Sequence, residues 1–390
     1  MISSRRTLLL PILLSSGLLC ACAHVRPAAP ARAEAAASAA STTTQPETTT
    51  ASADAAAKAQ TPAASAASAA ATENTTTTPA PEASVLLSAI GDIRLDGPVG
   101  RFSQEHGPAA VTAEALRWLK ADIVFGNLEA PLTLRGEKTD KKFTFRAPPK
   151  NLDILEAAGF TILNLANNHI VDFGPVGLLD TLAALDARGF LHVGAGRNLD
   201  EARRPVIIEK NGLRVGFLAL TSTHPDFAWA RKERPGVAYS DFDRFPEWIR
   251  QAKSSCDVLI VSFHGGTERA ELPNEIQRAF GHMAVDAGAD LVLGHHPHVL
   301  QPVELYKGRI ILHSIGNGLF VSPSPETRAG AIVRILLKKN GPVLADFVPV
   351  DTWSGGKLRL APEAAKTVTS ALDRDGALTA HPELFRVLQE

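Results

Sequence analysis

Short runs of apolar residues recur between residues 84 and 350, and most of them end on a polar residue. The clearest run covers residues 291–293 and leads directly into Gly294-His295-His296-Pro297-His298, with three histidines in four positions. An apolar run this short that stops at glycine is typical of a buried strand rather than a helix. The pattern therefore predicts a strand that leads into a loop of potential ligands.

Four other apolar runs end in the same way. They are residues 85–90 before Asp92, residues 123–125 before Glu129, residues 161–165 before Asn167-Asn168-His169, and residues 258–263 before His264. Segments with helical spacing lie between the strands, at residues 111–120, 151–158, 175–188, 242–253 and 274–287. Alternating strands and helices predict an α/β fold with mostly parallel strands, in which sites form at the carboxyl ends of the strands.

Three two-residue turn signals predict hairpins that complete the fold. Asn211-Gly212, Lys307-Gly308 and Asn340-Gly341 each separate two apolar segments. Such pairs favour the left-handed turns that join antiparallel strands. Near the end of the chain, residues 382–389 have helix-like spacing. We therefore predict a layered α/β sandwich whose strand ends carry the chemistry.

The side chains at the predicted strand ends combine carboxylate, amide and imidazole groups. They are Asp92, Glu129, Asn168, His169, His264, His296 and His298. A single acidic residue after a strand is often only a turn or cap residue, but clustered histidines gain little from packing. This mixture of donors suits Mn, Fe or Zn better than Ca or Mg. A divalent ion would provide an activated water, and the sequence has no nucleophile elbow or Walker loop as another route.

The first 22 residues have the pattern of an export signal. Arg5-Arg6 precedes an apolar stretch at residues 8–19 that is too short to span a bilayer comfortably. Leu19-Cys20-Ala21-Cys22 resembles the lipobox of bacterial lipoproteins, in which Cys22 would carry the lipid. Ordinary cleavage without a lipid is the alternative, and the paired arginines also resemble a twin-arginine signal. We expect an exported lipoprotein, anchored in the membrane and facing the periplasm or the cell surface.

Composition divides the rest of the chain into three parts. Residues 23–83 contain Ala, Thr, Ser and Pro with almost no large apolar residue, so we expect a disordered linker. Residues 84–350 are long enough for one domain, and residues 351–390 form a C-terminal extension. With 40 basic and 41 acidic residues, the chain has no general attraction to nucleic acid. Cys256, the one cysteine outside the signal, is predicted to be a buried spacer.

The strand-end segments also form a recognisable set. They are Gly91-Asp92, Asn127-Leu128-Glu129, Leu165-Ala166-Asn167-Asn168-His169 with Asp172 and Gly174, His264-Gly265-Gly266, Asp286-Ala287-Gly288-Ala289-Asp290, Gly294-His295-His296-Pro297-His298 and Ser314-Ile315-Gly316-Asn317. Their order resembles the calcineurin-like metallophosphoesterase fold and, more closely, the CapA family of capsule and poly-γ-glutamate synthesis proteins. The resemblance runs from about residue 84 to residue 320. It implies a metallophosphoesterase-like sandwich with metal-binding loops at the strand ends.

By position, the resemblance also implies roles for individual residues. The metal ligands would be Asp92, Glu129, Asn168, His264, His296 and His298. His169 would stand over the leaving group as an acid or charge stabiliser. The residues that would support the ligands or the substrate are Asn167, Asp172, His295 and Asn317.

Two positions depart from the broader phosphoesterase pattern. Arg94 stands where such enzymes have a histidine ligand, and Glu129 replaces a bridging aspartate. One ligand fewer leaves a one-metal and a two-metal site both open. Arg94 either orients an anionic substrate by a bidentate contact or forms a surface ion pair.

A group of cations follows Glu129 in the sequence. Lys141, Lys142 and Arg146 lie within six positions of one another. They form either the solvated edge of a hairpin or a cationic rim for a polyanion such as a γ-linked glutamate chain.

The resemblance implies an exported metalloprotein of capsule or poly-γ-glutamate biogenesis, with metal-assisted hydrolysis or transfer at an amide or phosphoester. Its partner would be an anionic polymer such as poly-γ-glutamate or a capsule precursor, and a capsule synthase complex is a further possible partner. Two alternatives stay open. One is a periplasmic phosphodiesterase or phosphatase, and the other is a non-catalytic assembly subunit that only holds a polymer.

Overall fold

A computed structural model describes residues 82–352 and 355–389 of the chain. The predicted signal at residues 1–22 and all but the last two residues of the predicted linker lie outside this range. Within the described range, every helix is too short or too polar to cross a lipid bilayer.

The described residues form a regular succession of strands and helices. The strands are β1 Ser84–Ile93, β2 Ile123–Leu128, β3 Ile162–Asn164, β4 Leu191–Val193, β5 Ala195–Gly196, β6 Val206–Lys210, β7 Leu213–Thr221, β8 Gly236–Val237, β9 Val258–His264, β10 Leu291–His295, β11 Val303–Tyr306, β12 Arg309–Leu312, β13 Ala329–Lys338, β14 Gly341–Asp351, β15 Arg359–Leu360 and β16 Phe385–Val387. The α-helices are α1 Gly97–His106, α2 Leu116–Leu119, α3 Leu152–Ala157, α4 Gly174–Ala187, α5 Leu199–Ala202, α6 Phe245–Lys253, α7 Glu275–Asp286, α8 Ala365–Leu372 and α9 Ala377–Ala380. Short 3-10 helices cover Pro108–Val111, Pro149–Asn151, Asp226–Ala228, Pro325–Thr327 and Pro362–Ala364.

Two large sheets contain most of these strands. The first is an eight-stranded sheet in the order β15-β14-β13-β1-β2-β3-β4, with β16 also paired to β14. The second is a six-stranded sheet in the order β11-β12-β10-β9-β7-β6. Strands β1 to β4 are parallel to one another, and so are β7, β9, β10 and β12. The parallel strands therefore occupy the middle of the second sheet and one half of the first.

The main core lies between the two sheets, because alternate side chains of each sheet point toward the other. Leu87 and Phe125 of the first sheet share one buried cluster with Phe217 and Leu293 of the second. Phe125 and Phe217 stack with their ring centroids 5.9 Å apart. Helices α3 and α4 cover the outer face of the first sheet, and α6 and α7 cover that of the second. The predicted layered α/β sandwich is confirmed.

The three predicted hairpins are also confirmed. The pairs β6–β7, β11–β12 and β13–β14 are antiparallel. Asn211 and Gly212 have φ angles of 48° and 80°, so both adopt the left-handed conformation that the turn between β6 and β7 requires.

Two predicted helices are wrong. Residues 111–120 contain the end of a 3-10 helix, a turn and only the four-residue α2. Residues 382–389 contain β16 instead of a helix, because Phe385 is buried in the core between the sheets and the neighbouring backbone pairs with β14. The segment predicted as an extension therefore adds strands to the first sheet and side chains to the core.

Candidate metal centre

The carboxyl ends of strands from both sheets meet at one edge of the sandwich. Asp92 lies near the end of β1 and Glu129 directly follows β2 in the first sheet. His264 ends β9 and His295 ends β10 in the second sheet, and the two histidines are paired in register. Parallel strands thus bring together donors that are far apart in the sequence.

Two glycines let the loops approach these strand ends closely. A Cβ atom on Gly91 would lie 1.8 Å from the carbonyl oxygen of Gly316, and one on Gly294 would lie 2.0 Å from that of His313. The amide of Asp92 donates to the same Gly316 carbonyl at 3.1 Å. Only glycine fits at positions 91 and 294, and the backbone contact that holds Asp92 in place depends on Gly91.

Asp92 is completely buried, and several groups contact its carboxylate. Its Oδ1 accepts a hydrogen bond from Asn127 Nδ2 at 2.8 Å, and its Oδ2 lies 3.0 Å from His298 Nδ1. Burial by itself would raise the pKa of Asp92, but contacts with His295 and His298 hold that pKa well below its usual range. Asp92 is therefore an anion at neutral pH, which is the form of a carboxylate that binds a metal.

A buried asparagine network joins the two sheets behind Asp92, and of its members the sequence predicted a supporting role only for Asn167. Asn127 Nδ2 also contacts His264 Nδ1 at 3.2 Å, while Asn127 Oδ1 accepts from Asn164 at 2.9 Å and from Asn167 at 3.2 Å. The available signal was an amide within the apolar runs of β2 and β3. Because a buried amide needs partners, this network fixes the positions of the groups around it.

Glu129 and His264 lie at the centre of the cluster. The Glu129 carboxylate is 3.4 Å from His264 Nε2, and the same nitrogen contacts Asn168 Oδ1 at 2.8 Å. Burial and the charge of Asp92 raise the pKa of Glu129 well above its usual value. Burial also lowers the pKa of His264 well below its usual value. His264 is therefore neutral at pH 7, as a metal-binding imidazole must be.

His296 and His298 occupy backbone conformations that L-residues rarely adopt, with φ angles of 97° and 60°. The centroids of their rings are 6.2 Å apart, and the His296 ring is 4.9 Å from that of His264. Burial lowers the pKa of His296 to about 3. Against the effect of burial, Glu129 and Asp92 raise the pKa of His298 to about 9, so a metal ion would have to displace a proton to bind this imidazole. Backbone strain of this kind persists where surrounding structure enforces it, and it is concentrated at functional sites.

These donor atoms fit a metal centre. The ligand atoms of Glu129, His264 and His296 lie within 4.8 Å of one another, and those of Asp92, Glu129 and His298 form a second such group. Both Glu129 oxygens and His296 Nδ1 are buried without a hydrogen-bond partner, although buried polar atoms normally have one. The unused atoms are thus carboxylate oxygens and an imidazole nitrogen, which are metal ligands. Glu129 belongs to both groups, so its carboxylate faces both positions.

His169 lies beside the ligand cluster. Its Nδ1 donates to one oxygen of Asp172 at 2.7 Å, and the Lys141 ammonium lies 2.5 Å from the other oxygen. Lys141 also donates to the carbonyl of Asn168. Burial lowers the pKa of His169. The contact with Asp172 occupies Nδ1, which leaves Nε2 to contact a substrate.

A cavity of about 660 Å³ opens beside His169 and His298. Its other charged and aromatic lining residues are Arg94, Lys142, Phe143, Phe145, Glu268, Arg269 and Phe320. The sequence predicted Arg94 and Lys142 among these. It assigned no role to the aromatic rings, because a phenylalanine in a loop has the same sequence signature whether it lines a cavity or fills the core.

The three cations predicted after Glu129 lie in different places. Lys142 lines the cavity, and Lys141 is the largely buried partner of Asp172. Arg146 points to the ring of Phe173, with its guanidinium carbon 4.2 Å from the ring centroid. Lys142 is therefore the one member of this group that lines the cavity.

The remaining predicted residues contact the ligands or their loops. Asn317 Oδ1 lies 3.0 Å from His298 Nδ1. Asn167 Oδ1 accepts from the backbone amide of His169 at 3.1 Å. His295 is fully buried, and its Nδ1 is 3.6 Å from Asp92 Oδ1. The contacts of Asn317 and Asn167 orient His298 and the loop that carries His169.

Comparison with known proteins agrees with the motifs. The family profile described as "Bacterial capsule synthesis protein PGA_cap" matches residues 86–322. The chain is 35% identical over 298 residues to "Capsule biosynthesis protein CapA" of Bacillus anthracis, covering 74% of this chain and 71% of that one. It is 35% identical over 268 residues to "PGA biosynthesis protein CapA" of Bacillus subtilis (strain 168), covering 68% and 70%.

Among solved structures, the 5'-nucleotidase precursor from Thermus thermophilus is similar with a TM-score of 0.42 and 15% identity, covering 75% of this chain and 59% of that one. The family assignment depends on the sequence matches, which span most of the domain that carries the candidate centre. This chain therefore belongs to the PGA_cap family of bacterial capsule synthesis proteins, the CapA family.

Proposed function

We propose that this protein is a metal-dependent hydrolase or transferase that acts at an amide or phosphoester bond of an anionic polymer or of its precursor. The observation that carries this proposal is the pair of donor groups that share Glu129, beside the cavity lined by His169 and His298. The volume of the cavity lies in the usual range for ligand pockets, roughly 300 to 1,000 Å³. The names of the relatives, which refer to capsule and PGA biosynthesis, favour poly-γ-glutamate or a capsule precursor as the polymer.

The residues that would hold the metal come from both sheets. They are Asp92, Glu129, Asn168, His264, His296 and His298. A bound divalent ion, for which Mn, Fe and Zn are the candidates, would supply an activated water and polarise the bond to be broken. Because Glu129 belongs to both donor groups, two ions are favoured over one.

His169 is the proposed proton carrier. Its ring is oriented by Asp172, which is itself held by Lys141. With Nδ1–H donated to the carboxylate, Nε2 is free to take the proton released by the attacking water and to pass it to the leaving group. The asparagine network behind Asp92 and His264 keeps these ligands in place while the substrate binds.

We also propose that the protein is exported and anchored to the membrane by a lipid on Cys22. Support for this comes from the arginine pair, the short apolar stretch and the lipobox-like segment at residues 1–22. Mass spectrometry of the purified full-length protein would test it. An amino terminus at Cys22 that carries acyl chains is expected, and an unmodified amino terminus after another residue would contradict it.

Metal content tests the centre directly. The purified protein is expected to contain a divalent transition metal, and His296→Ala and His298→Ala variants are expected to lose most of it. His106→Ala is a matched control, because His106 is an exposed histidine on α1. If the wild-type protein contains no metal after growth with each candidate ion, the proposal is wrong.

Three substrate outcomes separate the possible functions. Cleavage of a γ-glutamyl oligomer that requires metal and is lost in His169→Ala supports the proposal. Cleavage of an aryl phosphate without any cleavage of the oligomer would favour a phosphodiesterase or phosphatase. Tight polymer binding with no cleavage of either compound, despite bound metal, would favour a non-catalytic assembly subunit.

A further inference from the structure

We infer that Arg94 binds an anionic group of the substrate, a carboxylate or a phosphate next to the reacting bond, and thereby selects substrates that carry such a group. This inference rests on the proposed function. Arg94 lies two positions after Asp92, just past the end of β1. Its backbone amide donates to the carbonyl oxygen of Leu319 at 2.8 Å. The residue is therefore fixed between the end of β1 and the segment that carries Phe320.

Three side chains hold the guanidinium of Arg94. Its Nε donates to the carboxylate of Asp96. The guanidinium carbon of Arg94 lies 4.1 Å from the centroid of the Phe145 ring and 5.4 Å from that of the Phe320 ring. Stacking on aromatic rings favours the planar guanidinium over the ammonium group of lysine. Because the side chain is already held in place, a substrate would bind it with little further loss of conformational entropy.

The same two rings contact the imidazoles of the candidate centre. The ring of Phe145 is 4.2 Å from that of His169, and the ring of Phe320 is 4.7 Å from that of His298. Arg94 and both histidines line one cavity. Phe145 thus contacts both the Arg94 guanidinium and the His169 ring, and Phe320 contacts both the guanidinium and the His298 ring.

The guanidinium retains N–H groups that could bind an anion. Arginine has five N–H donors, and Asp96 contacts only Nε. Among residues 82–352 and 355–389, no acceptor forms a hydrogen bond with either terminal nitrogen of Arg94. Two parallel donors match the two oxygens of a carboxylate or phosphate.

The charges around the cavity also favour an anion. Lys142 and Arg269 line it together with Arg94, whereas Glu268 is the one carboxylate among its lining residues. Asp96 contacts the guanidinium but is not one of the lining residues. Three Arg and Lys side chains and one carboxylate therefore face the space in which the substrate would lie.

Binding measurements on the full chain loaded with Mn²⁺ test this inference. The probes are a γ-linked glutamate tetramer, the same tetramer with its α-carboxylates converted to carboxamides, and a phosphodiester-linked glycerol dimer. Arg94→Gln should weaken binding of an anionic probe by about tenfold or more, because hydrogen bonds to charged groups are strong. Binding of the carboxamide tetramer should not change. A loss for the glutamate tetramer alone or for the glycerol dimer alone identifies the carboxylate or the phosphate as the bound group.

Two further variants control for folding and for charge. Arg101→Gln removes an exposed arginine on α1 and should leave the affinity for every probe unchanged. Arg94→Lys keeps the positive charge but loses the planar contact, so its preference for the anionic tetramer over the carboxamide should fall several-fold. If Arg94→Gln does not fold, this change in preference decides the result, and an unchanged preference overturns the inference.

The inference and the proposed function can fail separately. An Arg94→Gln variant that binds all three probes as wild type does, or that weakens all three equally, would overturn the inference. Arg94-dependent binding without any bond cleavage would support the inference and count against the proposed hydrolysis. Cleavage with the same kcat/KM in wild type and Arg94→Gln would leave the proposed function intact and reject the role of Arg94.

Discussion

Asn127 connects ligands from the two sheets through one buried side chain. Its amide nitrogen donates to Asp92 and contacts His264, at 2.8 and 3.2 Å. Its oxygen accepts from the amides of Asn164 and Asn167. An asparagine amide has two donor hydrogens and two acceptor lone pairs, so the side chain is fully used. Removing it would leave buried polar groups unpaired on both sides of the site.

We expect Asn127→Ala to weaken metal binding by about 10- to 100-fold, the usual effect of losing a residue that orients metal ligands. The metal-free variant should also lose about 1–3 kcal/mol of unfolding free energy for each buried group left unpaired. Competition with a metal-binding dye and denaturant titration measure the two effects. Asn340→Ala, an exposed asparagine between β13 and β14, is the matched control. Unchanged metal affinity in Asn127→Ala would contradict the proposed orienting role.

Glu129 illustrates how a functional residue can reduce the stability of the protein without its ligand. Its carboxylate is completely buried and makes no hydrogen bond, and burying such a group is costly. Glu129→Gln removes the ionisable group and keeps the shape. The metal-free variant should therefore melt at a higher temperature than the metal-free wild type, while metal should stabilise the variant much less. Thermal unfolding with and without Mn²⁺ measures both effects, and a lower melting temperature without metal would contradict the prediction.

At the scale of elements, Glu304 links a helix to the second sheet. It lies on β11, with one oxygen 2.5 Å from His282 of α7 and the other 2.8 Å from His313, directly after β12. Arg278 of α7 also approaches within 3.7 Å. The bonds from His313 and His282, acting against burial, lower the pKa of Glu304 to about 2. The interaction therefore helps to fix α7 and the start of the 313–317 loop against the sheet.

This lowered pKa predicts a pH dependence of stability. Because the pKa is lower in the folded than in the unfolded protein, the stabilisation is complete above the ordinary glutamate value of about 4.5 and is lost as pH falls toward 2. The difference in unfolding free energy between wild type and Glu304→Gln should thus shrink from about pH 5.5 to about pH 3. Urea titrations over this range measure it. Glu209→Gln, at an exposed position of β6, is the control, and a constant difference for Glu304→Gln would contradict the prediction.

The elements also show what the sequence could and could not predict. Strand ends such as Gly91-Asp92 and Gly294-His295 were predictable, because a short apolar run and the polar residue that ends it are both local features. The position of the Lys141 side chain could not be predicted, because its contact with Asp172 joins two segments that are brought together only in the folded protein. The helix predicted around Phe385 was wrong because the local spacing does not show the pairing with β14, which decided the conformation of this segment.

For the molecule as a whole, the C-terminal segment belongs to the structure that supports the centre. Strand β16 pairs with β14, β14 pairs with β13, and β13 pairs with β1. Asp92 lies on β1. Four side chains of this segment lie in the core between the sheets: Val368, Leu372, Leu378 and Phe385. The sheet that supplies Asp92 therefore depends on residues well beyond the last ligand in the sequence.

A chain that ends at residue 352 should consequently fold poorly. Burying each of these four side chains contributes about 1.5–3 kcal/mol, or roughly 6–12 kcal/mol together, which is comparable with the whole stability of a typical domain. Phe385→Ala, which keeps the chain intact, should lose about 3–5 kcal/mol. Arg374→Ala, at a partly exposed side chain on the same segment, should lose little. Denaturant titration and metal content measure the effect, and a truncated protein that unfolds like wild type and keeps its metal would show that the two sheets are stable without this segment.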